Sequence, residues 1–193
     1  MQRIAGLLGE VIKSGSKWDR IFAADALGRL HWHASEMVAT LTELMKTDPD
    51  AREVAVRAVG DIGPPAASEA IPQLAVILSG PSLMDFAREE AAKVLGRTLD
   101  PRAVEPLLRA FESEPLGSDL RFQIVVAFGK LGPMAARAVP HLMPTLRTDD
   151  DLVLTVIGTL ASIGAGAGAA VPCLRKLFNA DFRGALRTDI FAS

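Results

Sequence analysis

Two small groups of residues carry the side chains in this sequence that could do chemistry. The first is His31-Trp32-His33, which holds two of the three histidines in the chain, and imidazoles two positions apart in a turn can contribute to a metal site. Neither a cysteine nor a carboxylate at ligand spacing accompanies them in the same turn, so half of a coordination shell is missing. We therefore predict no metal and no cofactor. Trp32 is expected to cover a junction between two helices, or to make a local contact.

The second group is Cys173 with His141. Cys173 follows Pro172, and the dipole at a helix N-terminus favours the thiolate form of such a cysteine. A nucleophilic cysteine also needs a base within reach, and His141 lies one period of the repeat described below before Cys173. The simpler expectation is a partly buried Cys173 and a surface His141. We predict no catalytic residue, and the chain is not expected to be an enzyme.

Composition and charge exclude several classes of protein. The 193 residues include 21 basic and 23 acidic side chains, for a net charge of −2, which is not the basic surface that a phosphate backbone requires. A single cysteine excludes a disulfide framework. No uninterrupted apolar run approaches the roughly 20 residues that cross a bilayer. We expect a cytoplasmic protein with neither a nucleic-acid nor a membrane partner.

The helices that position these residues follow an internal repeat of about 33 residues. Five three-residue segments share one pattern: a small or β-branched residue, then a large apolar residue, then a glycine or alanine that we call the anchor. The anchors are Gly28, Gly60, Gly96, Gly129 and Ala161. A second series has apolar residues at offsets 0, +3 and +7, one face of a helix, and starts at Ile4, Val38, Ile71, Val104, Val139 and Val171. Two series with one period indicate two helices per repeat.

Turn residues mark the ends of these helices. Gly63-Pro64-Pro65 and Gly132-Pro133 follow first helices, where Gly can adopt the left-handed cap and Pro cannot continue the helix. Pro72, Pro140 and Pro172 open second helices, at a position where a missing N–H costs nothing. The predicted fold class is all-α, a right-handed α-solenoid of about five helical hairpins.

Repeats of this kind bury their apolar faces only against their neighbours, so we expect one continuous domain. The predicted repeats are 1–14 (half), 16–47, 48–79, 82–112, 117–147, 149–179 and 181–193 (half). The last half repeat ends on Ile190-Phe191 without a partner helix. Either the array continues beyond this sequence, which we favour, or this end self-associates with another copy.

An arginine recurs eight residues before the anchor of most repeats. This arginine row comprises Arg20, Arg52, Arg88, Arg121 and, after Val153 in the fifth repeat, Arg183. A guanidinium offers several donors in a fixed fork. Each arginine is therefore expected to tie neighbouring first helices together through an inter-repeat aspartate or a helix-terminal carbonyl. The alternative is an anion-binding stripe.

Two stretches show a recurrent pattern most clearly: residues 48–52, 58–63 and 70–74, and again 120–121, 127–133 and 138–142. The pattern resembles the HEAT repeat, particularly the short bacterial form of phycobilisome-lyase-type proteins, and the resemblance covers nearly the whole chain, from Ile4 to about Arg183. It implies a second-helix surface that lines the concave side of the solenoid, and a protein-binding scaffold in most members. A minority are chromophore lyase subunits or DNA glycosylases. A glycosylase is disfavoured here, because Trp18 and Trp32 lie off the second helices.

Side chains at offsets +2, +5 and +8 of the second helices point away from the predicted core. The candidate partner-binding residues among them are Gln73, Arg109, His141, Arg147 and Lys176. Their mildly basic character favours a protein or peptide partner with some acidic character. The sequence thus predicts a non-catalytic protein-interaction scaffold. The alternative is a lyase-like or regulatory subunit of an enzyme complex.

Overall fold

The structure is a computed structural model that describes residues 2–80, 85–147 and 152–178. The helices are α1 (Gln2–Ser14), α2 (Lys17–Arg29), α3 (Val38–Thr47), α4 (Arg52–Ile62), α5 (Ile71–Ser79), α6 (Asp85–Arg97), α7 (Val104–Ser113), α8 (Asp119–Leu131), α9 (Val139–Leu142), α10 (Val153–Ile163) and α11 (171–178). Short 3₁₀ turns connect many of them, at His31–Met37, Ala66–Ala70, Pro101–Ala103, Gly132–Ala138, Met143–Arg147 and Gly164–Ala170. The described residues contain no strand.

The helices form two layers. The first helices (α2, α4, α6, α8 and α10) pack on one another in chain order. The second helices (α1, α3, α5, α7, α9 and α11) form the other layer, in which α5, for example, contacts α7. This arrangement confirms the predicted all-α solenoid of helical hairpins. The predicted half repeat 181–193, with Arg183 in it, lies outside the described residues.

Burial follows the repeat in the middle of the solenoid. Val38, Leu41 and Met45 of α3 are fully buried, and the same three positions of α5 and α7 are also buried in the core. In the last of these repeats Val139 and Leu142 of α9 are buried, together with Leu146 in the 3₁₀ turn that follows. The apolar positions at offsets 0, +3 and +7 thus form the core between the two layers, as the periodicity predicts.

The prediction is wrong for α1, where the same positions are exposed, and for α11, where Val171 and Phe178 are exposed. Leu7 is 69% exposed, whereas Ala5, Gly9 and Ile12 are buried instead. The helix turns this other face toward its neighbours, and a Cβ on Gly9 would meet the sulfur of Met37 at 2.8 Å. The reason is that no first helix precedes α1 in the described residues to cover the expected face.

Consecutive first helices approach closely at the glycine anchors. A Cβ built on Gly28 would lie 3.0 Å from Cα of Ala58, and one on Gly96 would lie 2.7 Å from Cα of Ala127. Only a hydrogen fits between backbones at that separation, so the anchor glycines set the spacing of the layer. The fifth anchor, Ala161, is exposed, and the next predicted first helix, in 181–193, lies outside the described residues.

The sequence suggests no apolar run long enough to cross a bilayer, but the segment Val153–Phe178 meets that criterion. By length and composition only, it is apolar enough to cross a membrane, with a mean hydropathy of 1.7 in its most apolar window. Its backbone is nevertheless a hairpin, because Gly164 adopts φ 68° and ends α10 before the turn into α11. Val156 and Leu160 are buried in the core, and α10 packs on α8. This segment is therefore the last described hairpin of the solenoid.

The arginine row lies where a first helix begins beside the end of the preceding second helix. Arg52 Nε donates to the carbonyl of Met45 at 2.9 Å, and Arg121 Nη1 donates to the carbonyl of Phe111 at 2.7 Å. The Arg121 guanidinium also lies 3.9 Å from the centre of the Phe111 ring. These arginines satisfy carbonyls that a helix C-terminus leaves without a partner. They tie a first helix to a second helix, rather than to another first helix as expected.

Two members of the row also bind a carboxylate at the end of their own repeat. Arg88 donates to the Leu78 carbonyl at 3.0 Å and forms an ion pair with Glu114, and both charged side chains are largely buried. Arg20 Nε donates to Asp48 Oδ2 at 2.8 Å. Burial alone would raise the pKa of Asp48, but its hydrogen bonds with Arg20 and with two backbone N–H groups outweigh this and hold the pKa below its usual range.

Replacing Gly96 with Ala should destabilise the fold by about 1 to 3 kcal/mol, because the new methyl group overlaps the backbone of α8. Gly158→Ala is the matched control, since nothing lies within 4 Å of a Cβ there. In an exposed helix position Ala is favoured over Gly, so this variant should gain up to about 1 kcal/mol. Urea unfolding measures both changes. Equal midpoints for the two variants would contradict the proposed contact.

Removing the Arg88 side chain should lower the free energy of unfolding by about 1 to 3 kcal/mol, because Glu114 would keep a largely buried charge without that partner. Arg109→Ala is the control, since Arg109 is 76% exposed and pairs only along its own helix. Its loss should cost no more than about 0.5 kcal/mol. Thermal and urea unfolding provide the comparison. An Arg88→Ala variant as stable as Arg109→Ala would show that the row does not stabilise the stack.

Candidate functional site

The predicted partner-binding residues Arg109 and His141 are already engaged with carboxylates. Arg109 Nε donates to Oε1 of Glu105 at 3.1 Å, one turn earlier on α7. His141 Nδ1 lies 2.7 Å from Oε1 of Glu112, across the junction between α7 and α9. Both pairs are solvent-exposed. This part of the second-helix surface therefore carries balanced charge, which weakens the argument for an acidic partner.

The other predicted binding residues lie in separate places. Gln73 lines an open depression of about 480 Å³ that also includes Arg52. Lys176 lines another near the C-terminal end. Arg147 ends the 3₁₀ turn after α9, and its side chain lies outside the described part. The four residues whose side chains the structure describes, Gln73, Arg109, His141 and Lys176, are thus distributed along the second helices and do not line one common depression.

An apolar groove lies between the turn after α9 and α11. Its volume is about 650 Å³, and its lining includes Pro140, Met143, Leu146, Cys173 and Leu177. Cys173 is partly buried there, as expected from the sequence. The polar partner of His141 is Glu112 on α7, so the ring that could have served as a base for this thiol is held by another group.

The histidine-tryptophan triplet forms an ordered turn after α2. His31 adopts φ 50°, and its Nδ1 is hydrogen-bonded to the carbonyl of Asp61 at 2.8 Å. Trp32 stacks on His33 with ring centres 3.7 Å apart, yet remains 69% exposed. The expectation that Trp32 covers a helix junction is wrong, because the turn holds the indole outward. Among the residues that the structure describes, no group of three His, Cys, Asp or Glu side chains could hold a metal ion.

The largest feature that the sequence analysis missed is an apolar surface at the start of the solenoid. We call it the N-terminal apolar face, and it consists of Ile4, Leu7, Val11, Trp18 and Phe22. These side chains are between 38% and 69% exposed. The Trp18 and Phe22 rings lie 6.4 Å apart, and the ammonium group of Lys17 lies 5.8 Å from the Trp18 ring centre.

The repeat explains why these residues share one face. Ala58 of α4 packs on Gly28 of the preceding first helix, and Val54, one turn earlier, is partly buried against the core. Trp18 and Phe22 lie on the equivalent face of α2, at helical spacings of four residues. The exposed positions of α1 are those that internal repeats bury. The N-terminal apolar face is therefore where a preceding first helix would pack.

Phe22 carried a signal that could have revealed this face. It stands six residues before the Gly28 anchor, as Val54 does before Gly60. A bulky aromatic residue at a position that faces the preceding repeat is a signal of an apolar contact surface there. Amphipathic periodicity alone assigns α1 a buried face, but it does not say whether a neighbour is present to bury it.

Comparisons with known proteins agree with the repeat type. Residues 87–113, which include most of α6 and all of α7, match the family model described as PBS lyase HEAT-like repeat. A search of curated proteins finds no significant match.

One solved structure shows the same fold. It is the complex of CpcE and CpcF of phycocyanin lyase from Nostoc sp. PCC7120, matched with a TM-score of 0.67 and 22% sequence identity. The match covers 83% of this chain and 65% of that chain, so the present chain spans slightly less than two thirds of the length of its structural relative. Together, the family model and this likeness agree with the resemblance noted in the sequence: the chain is a solenoid of HEAT-like helical repeats, and its residues 87–113 match the PBS lyase HEAT-like type.

Proposed function

We propose that this chain is a lyase-like subunit of an enzyme complex and that it acts by binding a second protein subunit. The observation that carries the proposal is the N-terminal apolar face, where large apolar side chains that internal repeats cover are exposed. Exposed contiguous apolar surface of this kind marks interfaces in soluble proteins. The structural relative is itself described as a complex of two proteins, CpcE and CpcF.

The geometry of the face favours a helix from the partner. Two helices, α1 and α2, border it, and within the array the equivalent space is filled by a first helix. Burying the exposed parts of the five side chains would contribute on the order of 5 kcal/mol before the cost of association is subtracted. That amount is appropriate for the centre of a protein interface, and aromatic residues such as Trp18 and Phe22 are typical of such centres.

The chemistry is proposed to belong to the complex and not to this chain alone. His141 is paired with Glu112, and Cys173 lies in an open apolar groove with prolines and aliphatic side chains. The second-helix surface, with Gln73, Arg109 and Lys176, is retained in the proposal as a further contact with a protein or peptide. A cytoplasmic location is part of the same proposal.

A stand-alone interaction scaffold is the second candidate function. It is favoured by the shape of the second-helix surface, on which Gln73 and Lys176 line separate open depressions. Scaffolds of stacked repeats bind extended partners along such surfaces. The two candidate functions differ in the number of binding partners. A subunit has one stoichiometric partner, whereas a scaffold binds several.

A tagged chain purified from its native host should therefore co-purify with one stoichiometric partner subunit. The double variant Leu7→Asp/Phe22→Asp places two charges in the N-terminal apolar face and should reduce recovery of that partner at least tenfold. Because both side chains are already about two-thirds exposed, the thermal midpoint should change little. Mass spectrometry and light scattering after size exclusion identify the partner and the stoichiometry.

The matched control is Phe86→Asp/Leu154→Asp, which changes two equally exposed apolar residues on other first helices. This control should leave partner recovery at the wild-type level. If the Leu7→Asp/Phe22→Asp variant recovered as much of the partner as this control does, the assignment of the interface would be overturned. Recovery of the chain only as a monomer, or only as a homo-oligomer, would overturn the proposed subunit function.

A further inference from the structure

We propose that the depression between the turn after α2 and the turn after α4 binds an extended peptide segment that carries a lysine or an arginine. The depression has a volume of about 500 Å³, and Trp32, Glu36, Pro64, Pro65 and Glu69 are among the residues that line it. It lies at the loop end of the first two hairpins and is distinct from the N-terminal apolar face. The proposal therefore does not rest on the proposed function.

The indole of Trp32 is held in place before any ligand arrives. The preceding residue is fixed by the hydrogen bond between His31 Nδ1 and the Asp61 carbonyl, which links this turn to the end of α4. The following residue, His33, stacks on the indole. A tryptophan that stays 69% exposed in an ordered turn offers a large apolar surface with little conformational entropy left to lose on binding.

The charge of the depression selects a cation. Glu36 and Glu69 are both exposed at its rim, and within the described residues neither carboxylate has an ion-pair partner. No lysine or arginine lines the depression. A basic side chain placed beside the indole would gain attraction from the ring and from both carboxylates. An acidic peptide or a nucleic-acid backbone would be repelled by the same pair.

The shape of the depression favours a peptide over a small free cation. Pro64 and Pro65 line the depression together with Trp32 and give it apolar surface, and grooves lined by exposed aromatic residues are where extended, proline-containing peptides pack. The volume of the depression lies in the range of pockets that hold ligands larger than a single small ion. A small cation would contact the rim carboxylates and leave this apolar surface uncovered.

Tryptophan fluorescence provides a direct test, because the chain has only two tryptophans. In the Trp18→Ala variant the signal comes from Trp32 alone. The probe is a synthetic peptide of alternating proline and arginine. The control is the same peptide with glutamine in place of arginine. We expect saturable binding of the arginine peptide, weakened by added salt, and much weaker binding of the glutamine peptide.

Variants of the site complete the test by isothermal titration calorimetry. Trp32→Ala should lower the affinity for the arginine peptide at least tenfold, whereas Trp18→Ala, which removes a similarly exposed tryptophan on α2, should bind like the wild type. Glu36→Gln/Glu69→Gln should weaken binding about fivefold and reduce its salt dependence. These side chains are exposed, so circular dichroism should show unchanged folding.

Three results would overturn the proposal. One is the absence of saturable binding of the arginine peptide to the wild-type chain. Another is equal affinity for the arginine and glutamine peptides, which would remove the role of charge. The third is equal affinity for free arginine and for the peptide, which would show a small-cation site. None of these results bears on whether a partner subunit binds the N-terminal apolar face.

Discussion

The close approach of consecutive first helices is the constraint on which the rest of this structure depends. At Gly28 and Gly96 a Cβ would lie 3.0 and 2.7 Å from the Cα of an alanine in the next first helix, so the spacing of the layer is set by the absence of a side chain. Because the helices are so close, the second helices can share one apolar core beneath them. The arginine row then joins the start of α4, α6 and α8 to the end of the second helix before each of them.

In a stack held together in this way, neighbours on both sides cover the apolar faces of the internal hairpins, whereas α1 and α2 have a described neighbour on one side only. Each hairpin covers the apolar face of the next, and burial of the periodic positions is nearly complete in α3, α5, α7 and α9. Toward the N-terminal end the same positions of α1 are exposed, and α2 adds Trp18 and Phe22. The same stacking explains why we propose the N-terminal apolar face as the binding site of a protein partner. The turns add a separate surface: their small residues such as Ala34, Ala67 and Ala135 are buried in the stack, whereas their exposed side chains, such as Trp32, differ from repeat to repeat.

The sequence predicts the regular part of the molecule because the regular part is periodic. The anchors and the apolar offsets give the repeat, its helices and the core of the internal hairpins. They fail for Leu7, which occupies a core position but has no neighbour to cover it in the described structure. They do not determine the direction of the Trp32 indole in its turn or the pairing of His141 with Glu112, since both depend on three-dimensional geometry. A periodic pattern shows which face of a helix is apolar, but not what lies against it.

Native-state hydrogen exchange of the wild-type chain tests the central claim that stability arises from nearest-neighbour stacking at the glycine anchors. Stability in such arrays is a sum of local repeat and interface contributions, and exchange reports local opening along the chain. The account predicts the slowest amide exchange in α4, α6 and α8, which have neighbours on both sides, and progressively faster exchange toward α1 and α11. Uniform protection from α1 to α11, as in a single all-or-none unit, would contradict it.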